Sequence, residues 1–539
     1  MARTGAQLLV QGLEAAGVDV VFGLPGVHNL AAWEALRESP IRLVGVRHEQ
    51  AAVYAADGYA RTSGRLGVAL VTTGPGAANT LGATGEAWAS RSPVLVVATD
   101  IPTTLRVRGA HRGVLHECTD QPGMFAPVTK QSFTPQTFVE LAFAAFAAPE
   151  AAQVAPARPV YLEIPTDLLS ATGPEPALSA SGRRVAAPAD VEPALDFSAA
   201  ARRPLVWAGG GAVAAGASEA VAALAERLGA PVLTTYSAAG IAAGHPLRVG
   251  LPPHVPEIGA VWDDADLVIA VGSDLDGMMT QNWRMPPPPR LVAINVDEAD
   301  AAKNWAPDVI VAGDAHQACA ALALELSGAR EPWVDVAAVR SQALDALRTT
   351  FPAELRFLDA FAAAVPGDAV VLCDMCIPGY WLGGFHATSA PRRLTYPLGW
   401  GTLGCAFPMS LGAALAGGGP AVSVSGDGGF LFACGELATI AQERLPATTV
   451  IVDDGGYGML RFDQRRSGVQ TYGVDLHTPD FVALAESFGV RAEAVDGLDD
   501  AFSAALARQV VDPEPSVLVA RAALEPPPTT SPRWYRQAA

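Results

Sequence analysis

Three doubly wound parallel-sheet domains of the α/β class are what this sequence predicts, and three observations lead there. Short apolar runs of strand length, rich in Val, Ile, Leu and Ala, stop at glycine-rich turns. Stretches with helical spacing follow those turns, the alternation that produces parallel strands joined by crossover helices. The chain has 539 residues, enough for about three domains with cores of their own. The alternation divides it into a first domain at 1–171, a central Rossmann-like domain at 190–330, a third domain at 350–525 and a C-terminal tail at 526–539.

In the first domain, residues 7–16 read as a helix and 18–22 as a strand that ends in Gly23-Leu24-Pro25-Gly26-Val27-His28-Asn29. The run 41–46 leads directly into Arg47-His48-Glu49-Gln50 and a helix over 51–60, which puts Glu49 at a strand-to-helix junction. Residues 68–71, the turn Thr72-Thr73-Gly74-Pro75-Gly76 and the strand 94–98 repeat the pattern, and ligands are expected at the C-terminal ends of such strands. Residues 172–204, rich in Ala, Pro and Ser, read as an outer linker. The central domain opens with a strand into Gly209-Gly210-Gly211, a turn that suits a dinucleotide or simple packing. A polar region at 331–352 separates it from the third domain. In the tail, Trp534, Tyr535 and Arg536 are expected to pack over a site mouth.

Residues 421–460 carry the densest signal: strand, glycine-rich turn, helix, strand and a second glycine-rich turn. The run 422–424 stops at Gly426-Asp427-Gly428-Gly429, where glycines let a ligand approach the backbone. Residues 434–444 have helical spacing and 448–452 form the next strand, so a parallel crossover brings Asp454 beside Asp427 at one edge. Mg²⁺ takes carboxylate, carbonyl and phosphate oxygens, which makes Asp427, Asp454 and the Gly456 carbonyl a candidate metal-diphosphate cradle. Either acidic turn alone reads as an ordinary loop. Their spacing across one β-α-β unit is what points to a ligand.

The formal charge of −19 argues against a nucleic-acid partner. No apolar run reaches the ~18 residues of a membrane helix. The N-terminus leads into an amphipathic helix containing Glu14 instead of a signal core, and the cysteines are scattered, so a cytoplasmic protein is expected. Cys373-Asp374-Met375-Cys376 lacks the second pair that zinc would need and is assigned no role.

FGLPG, RHEQAAVYAADGYAR, TTGPGAAN, RPVYLEIPTDLL and GDGGFLF occur here in the order found in the thiamine-diphosphate-dependent pyruvate decarboxylase and acetolactate synthase family, which the chain resembles from end to end. The resemblance implies thiamine diphosphate and Mg²⁺. The family's cation motif ends in two asparagines where this chain has Asp453-Asp454, a change that retains the oxygen ligand and adds negative charge. Cofactor contacts are implied at Pro25, Gly26, Gly401, Leu403, Gly426, Gly428, Gly429, Gly456 and Tyr457. Glu49 falls on the activating glutamate that hydrogen-bonds the aminopyrimidine N1′. Gly401 falls on the carbonyl that takes the 4′-amino group, and Leu403 on the wedge that bends the cofactor. The family chemistry is decarboxylation of a 2-oxo acid through a C2 ylide and an enamine, followed by protonation or transfer to a carbonyl acceptor. His28 and His116 are candidate proton carriers, each with a structural reading as its alternative.

The activity implied is that of an acetolactate-synthase-like decarboxylase and carboligase. The resemblance further implies a homodimer or homotetramer, each cofactor lying between the first domain of one chain and the third of another. Ala239, Thr166 and Pro378 stand where acetolactate synthases have Lys, Lys and His. These departures keep open a non-ligating decarboxylase of a larger 2-oxo acid, either aryl or guanidino, with Glu117 or Asp120 meeting a cationic tail. A thiamine-diphosphate-binding sensor without turnover is the third reading. FAD, which acetolactate synthases hold in the central domain, is a doubtful cofactor, because Gly272-Ser273-Asp274-Leu275-Asp276 replaces their arginine-bearing GxRFDDR.

Overall fold

The computed structural model describes residues 2–107, 109–174 and 190–528. The first sheet has its strands in the order Arg42–Gly45, Val20–Gly23, Gly67–Val71, Val94–Asp100, Val160–Pro165 and Gln131–Phe133, every pairing parallel. The third sheet runs Leu394–Thr395, Val370–Cys373, Ala421–Gly426, Ala447–Asp453, Ser516–Arg521 and Arg491–Asp496, again all parallel. Numbered along the chain, both orders read 2-1-3-4-6-5, so the outer domains share one topology. Strands such as Val94–Asp100 and Leu267–Val271 are buried along their whole length, which is why they read as continuous apolar runs and not as alternating ones.

The central sheet, running Val232–Thr234, Pro204–Ala208, Leu267–Val271, Leu291–Asn295 and Val309–Ala312, has the order 2-1-3-4-5. It is the parallel, doubly wound sheet that the Rossmann-like alternation predicts, with its strands in the flavodoxin-type order. In all three sheets the order reverses between the first and third strands, and ligands of doubly wound sheets bind in the crevice at this switch point. In the first sheet the loops there are those after Val20–Gly23 and Gly67–Val71. In the third sheet they are those after Val370–Cys373 and Ala421–Gly426.

The outer domains pack through two helices, Glu49–Ser63 and Ala406–Ala416, both almost wholly buried. Their backbones touch at glycines: a Cβ at Gly412 would lie 1.8 Å from the Ala55 carbonyl oxygen, and one at Gly58 2.2 Å from that of Met409.

The outer-linker expectation for 172–204 is corrected at both ends. Thr172–Pro174 pairs antiparallel with Ala2–Thr4, and Glu192–Ala200 is a helix that turns Ala194 and Ser198 inward. Within 331–352, Val336–Thr350 is a helix whose N-cap, Asp335, accepts from the Ala338 amide. Its buried stripe is only Val336, Ala343 and Leu347, too narrow to show through a polar composition. The tail packs as far as Pro526 and Pro527, which are buried, while Trp534, Tyr535 and Arg536 lie outside the described residues. No helix among the described residues is long and apolar enough to cross a membrane.

Candidate active site

At the switch point of the third sheet lies a cavity of about 250 Å³. Gly426, Asp427, Gly428, Gly429, Asp454, Gly456 and Tyr457 line it, together with Gly401 and Leu403. Asp427 starts the short helix Asp427–Phe430 directly after its strand, and Asp454 follows the neighbouring strand, as the crossover requires. Both oxygens of Asp427 and Oδ1 of Asp454 are buried with no hydrogen-bond partner. Burial, and next the nearby Asp454, raise the Asp427 carboxyl to about 7. Burial likewise raises Asp454, opposed by the Arg461 guanidinium. Unpaired buried carboxylates are costly, and a hard divalent cation is the ligand that would satisfy them. No cluster of three His, Cys, Asp or Glu side chains that could hold a metal occurs among the described residues.

Glycine is required around this cavity by space. A Cβ at Gly428 would fall 2.7 Å from the Tyr457 ring, and one at Gly429 2.6 Å from Asp374 Oδ2. Asp374, fully buried, accepts from the Gly404 amide at 2.9 Å and so ties the loop bearing Gly401 and Leu403 to the strand end. Much of the remaining wall is apolar, including Ile377, Met459, Leu460 and Leu524, with Tyr380 and Cys376 beside them.

The switch point of the first sheet holds the other set. Glu49 opens the helix Glu49–Ser63, is 8% exposed and accepts from Asn79 Nδ2 at 3.0 Å. Pro25 and Gly26 lie on a loop shaped by Asn29, whose Oδ1 takes the Gly26 amide at 2.8 Å and whose Nδ2 donates to the Leu24 carbonyl. Gly26 meets Thr72 so closely that a Cβ would lie 2.5 Å from the threonine Cβ. His28 and His116 touch edge to face with ring centroids 5.3 Å apart. His28 Nδ1 is 2.8 Å from Thr73 Oγ1, and burial, helped by His116, lowers its proton affinity. The His116 carbonyl leans on Gly74, whose φ of 65° leaves room for no Cβ there. Gln121 holds the same turn from below, accepting from the Gly74 amide at 2.6 Å.

The structure thus brings together the expected residues of 401–457 in one cavity and those of 25–116 at another loop cluster, but within one chain it does not join the two: Glu49, His28 and His116 do not line the cavity. Val27 is 62% exposed and also stands apart from it. Glu117 accepts from the Arg112 and Val114 amides, and Asp120 caps a helix through the Gly123 amide, so both carboxylates already carry backbone partners. In the central domain, the Gly209 and Gly211 amides donate to the Val271 and Gly272 carbonyls, and Asp274 is paired with Arg91 and Lys303. Amides and acid that would face a dinucleotide are therefore engaged, which adds to the sequence argument against FAD. Sequence reasoning passed over Asn79, Asp374, Gln121 and Arg461, each of which acts on a site residue far from it in sequence or on another element. Asn79, inside TTGPGAAN, and Asp374, inside Cys373-Asp374-Met375-Cys376, lay in motifs already singled out.

Three family models match the chain in order. They are the N-terminal TPP binding domain of thiamine pyrophosphate enzymes over residues 3–124, the central domain over 191–322 and the C-terminal TPP binding domain over 376–520. The chain belongs to the thiamine pyrophosphate enzymes. It is 36% identical over 520 residues to a probable 2-ketoarginine decarboxylase of Pseudomonas aeruginosa, covering 92% of this chain and 90% of that one. It is 32% identical over 535 residues to a probable acetolactate synthase large subunit of Methanocaldococcus jannaschii, covering 92% and 88%. The solved structure of a thiamine diphosphate-dependent 4-hydroxybenzoylformate decarboxylase from Rhodococcus jostii matches with a TM-score of 0.81 over 97% of this chain and 100% of that one. At 23% identity that likeness speaks for the fold alone. Thiamine diphosphate with a divalent cation is the cofactor of this family, and the unsatisfied oxygens of Asp427 and Asp454 Oδ1 fit it.

Proposed function

We propose that this chain decarboxylates a 2-oxo acid and passes the resulting carbon to a carbonyl acceptor, as an acetolactate-synthase-like carboligase. The observation that carries the reading is the Asp427–Asp454 carboxylate pair, with both Asp427 oxygens and Asp454 Oδ1 lacking a hydrogen bond, in a cavity that also holds Gly401 and Leu403. Thiamine diphosphate, when bound, supplies the nucleophilic carbon and the electron sink. Asp427, Asp454 and the Gly456 carbonyl are the residues that would hold the cation. Glu49, buried against Asn79, is the acid that exchanges a proton with the aminopyrimidine. Leu403 would lie against the cofactor, and Met459, Leu460 and Leu524, which line the same cavity, would keep water out of it. Because Glu49 stands apart from the cavity of its own chain, the working site is formed between two copies, the first domain of one facing the third domain of the other.

A second reading is favoured by the His28–His116 contact. Two imidazoles beside the Glu49 turn are suited to delivering a proton to the carbon left by CO₂ loss, which would release an aldehyde from a larger 2-oxo acid. The 36% identity to a probable 2-ketoarginine decarboxylase supports a guanidino substrate for that case.

Anaerobic incubation with pyruvate, a guanidino-2-oxo acid and an aryl 2-oxo acid, with CO₂, acyloin and aldehyde measured together, separates the two. Acyloin from pyruvate supports the first reading, and aldehyde without acyloin the second. Glu49→Gln is expected to retain thiamine diphosphate and lose on the order of 10²–10⁴ in rate. A parental rate in that variant, or no CO₂ from any substrate, overturns both.

A further inference from the structure

We infer that Glu436 is a positioning residue for Glu49, its buried carboxylate holding the two backbone amides that immediately precede that acid. The inference rests on the reading of Glu49 as the proton-exchanging group. Glu436 belongs to the third domain, at the end of the short turn Cys434–Glu436 that follows the Asp427 loop, and is 1% exposed. Its Oε1 accepts from the Arg47 amide at 2.9 Å and from the His48 amide at 3.0 Å. Its Oε2 accepts from the Thr439 hydroxyl at 2.6 Å and lies 3.2 Å from the Arg47 amide.

These contacts fall where the first domain stops supporting its own backbone. Val46 still donates to the Gly23 carbonyl in the strand register. The next two amides go to Glu436, and then the helix Glu49–Ser63 begins with Glu49 itself. The Arg47 guanidinium is turned away, to the Gly45 carbonyl and Gln442 Oε1, so the carboxylate serves the main chain and not a salt bridge. A buried carboxylate without a paired cation is costly unless hydrogen bonds satisfy it. Here the donors that satisfy it are those whose placement sets where Glu49 points. General acids lose about 10²-fold when displaced by ~1 Å, so an anchor one and two residues away is close enough to matter.

The test uses Glu436→Ala, which removes the acceptor, and Glu436→Gln, which retains one oxygen for both amides. In cofactor-free protein, Glu436→Ala is expected to speed hydrogen exchange of the Arg47 and His48 amides about tenfold or more while the rest of the helix stays protected. With thiamine diphosphate bound, the exchange of its C2 proton is expected to slow about 10²-fold, and Glu436→Gln to recover most of both effects. In a Glu49→Gln background, Glu436→Ala is expected to add almost nothing, because residues acting as one unit are not additive. Losses that multiply in the double variant, or freed amides with unchanged C2 exchange, overturn the proposal. Should the alanine chain fail to fold, Glu436→Asp, which keeps the charge but draws it back, replaces it in both backgrounds. A loss that disappears beside Glu49→Gln then supports the proposal, and one that multiplies overturns it. If Glu49→Gln alone exchanges the C2 proton at the parental rate, the reading of Glu49 has failed and not merely its anchor.

Discussion

Asp454 stands where the family motif that the sequence resembles has asparagine, and Arg461 lies behind the added charge. Its guanidinium donates to the Asp454 and Gly455 carbonyls at 3.1 Å, and its Nη1 lies 3.8 Å from Asp454 Oδ1. Arg461 thus brings positive charge behind the cradle, shared with Asp475, whose Oδ1 lies 2.9 Å from its Nε. Asp454→Asn should weaken binding of a divalent cation to cofactor-free protein by roughly ten- to a hundredfold. Titration with Mn²⁺ followed by its paramagnetic signal measures this, and an unchanged affinity would show that the charge of Asp454 does not help to hold the cation. His254, buried in the central domain, offers a separate prediction about pH. Burial lowers its proton affinity from 6.5 to about 4. The unfolded chain takes up this proton below pH 6.5 while the folded one resists until about 4, so stability is full above that window and falls as pH drops through it. The loss is on the order of 3 kcal/mol at the acid end, and denaturant titrations at several pH values should show a shallower decline in His254→Asn.

The helices Glu49–Ser63 and Ala406–Ala416 meet too closely for any side chain at the crossing. Gly412→Ala must push a backbone aside and is expected to cost about 3 kcal/mol, read as a lower denaturant midpoint. A midpoint equal to the parent's would mean that the two backbones can part at no cost. Much of this architecture was legible in the sequence, since apolar runs buried on both sheet faces and glycine turns at their ends placed Glu49, Asp427 and Asp454 at strand termini. The helix Val336–Thr350 was not, because three inward residues in fifteen leave little periodicity. Glu436 was equally hidden: nothing in a linear pattern says that a carboxylate will reach amides 388 and 389 positions away. Sequence periodicity reports which face is buried, whereas such contacts depend on how two domains dock.

Two sheets of one topology in one chain, each with part of the expected site residues near its strand ends, give the whole molecule two unlike sets of candidate site residues. Mixing Glu49→Gln chains with Asp427→Ala chains tests this directly. Random mixed dimers are half of the total and hold one intact site of two, so about one quarter of parental activity should return. Recovery near zero in demonstrably mixed assemblies would place both residues in the same chain's site.

The separation of Glu49 from the cavity of its own chain also bears on dilution. If neither half works alone, the rate per chain is a property of encounter, constant while copies remain paired and falling with concentration once they part. Cation and thiamine diphosphate, which would touch both copies, then act as association ligands, and their supply sets how dilute the protein can become before it goes silent.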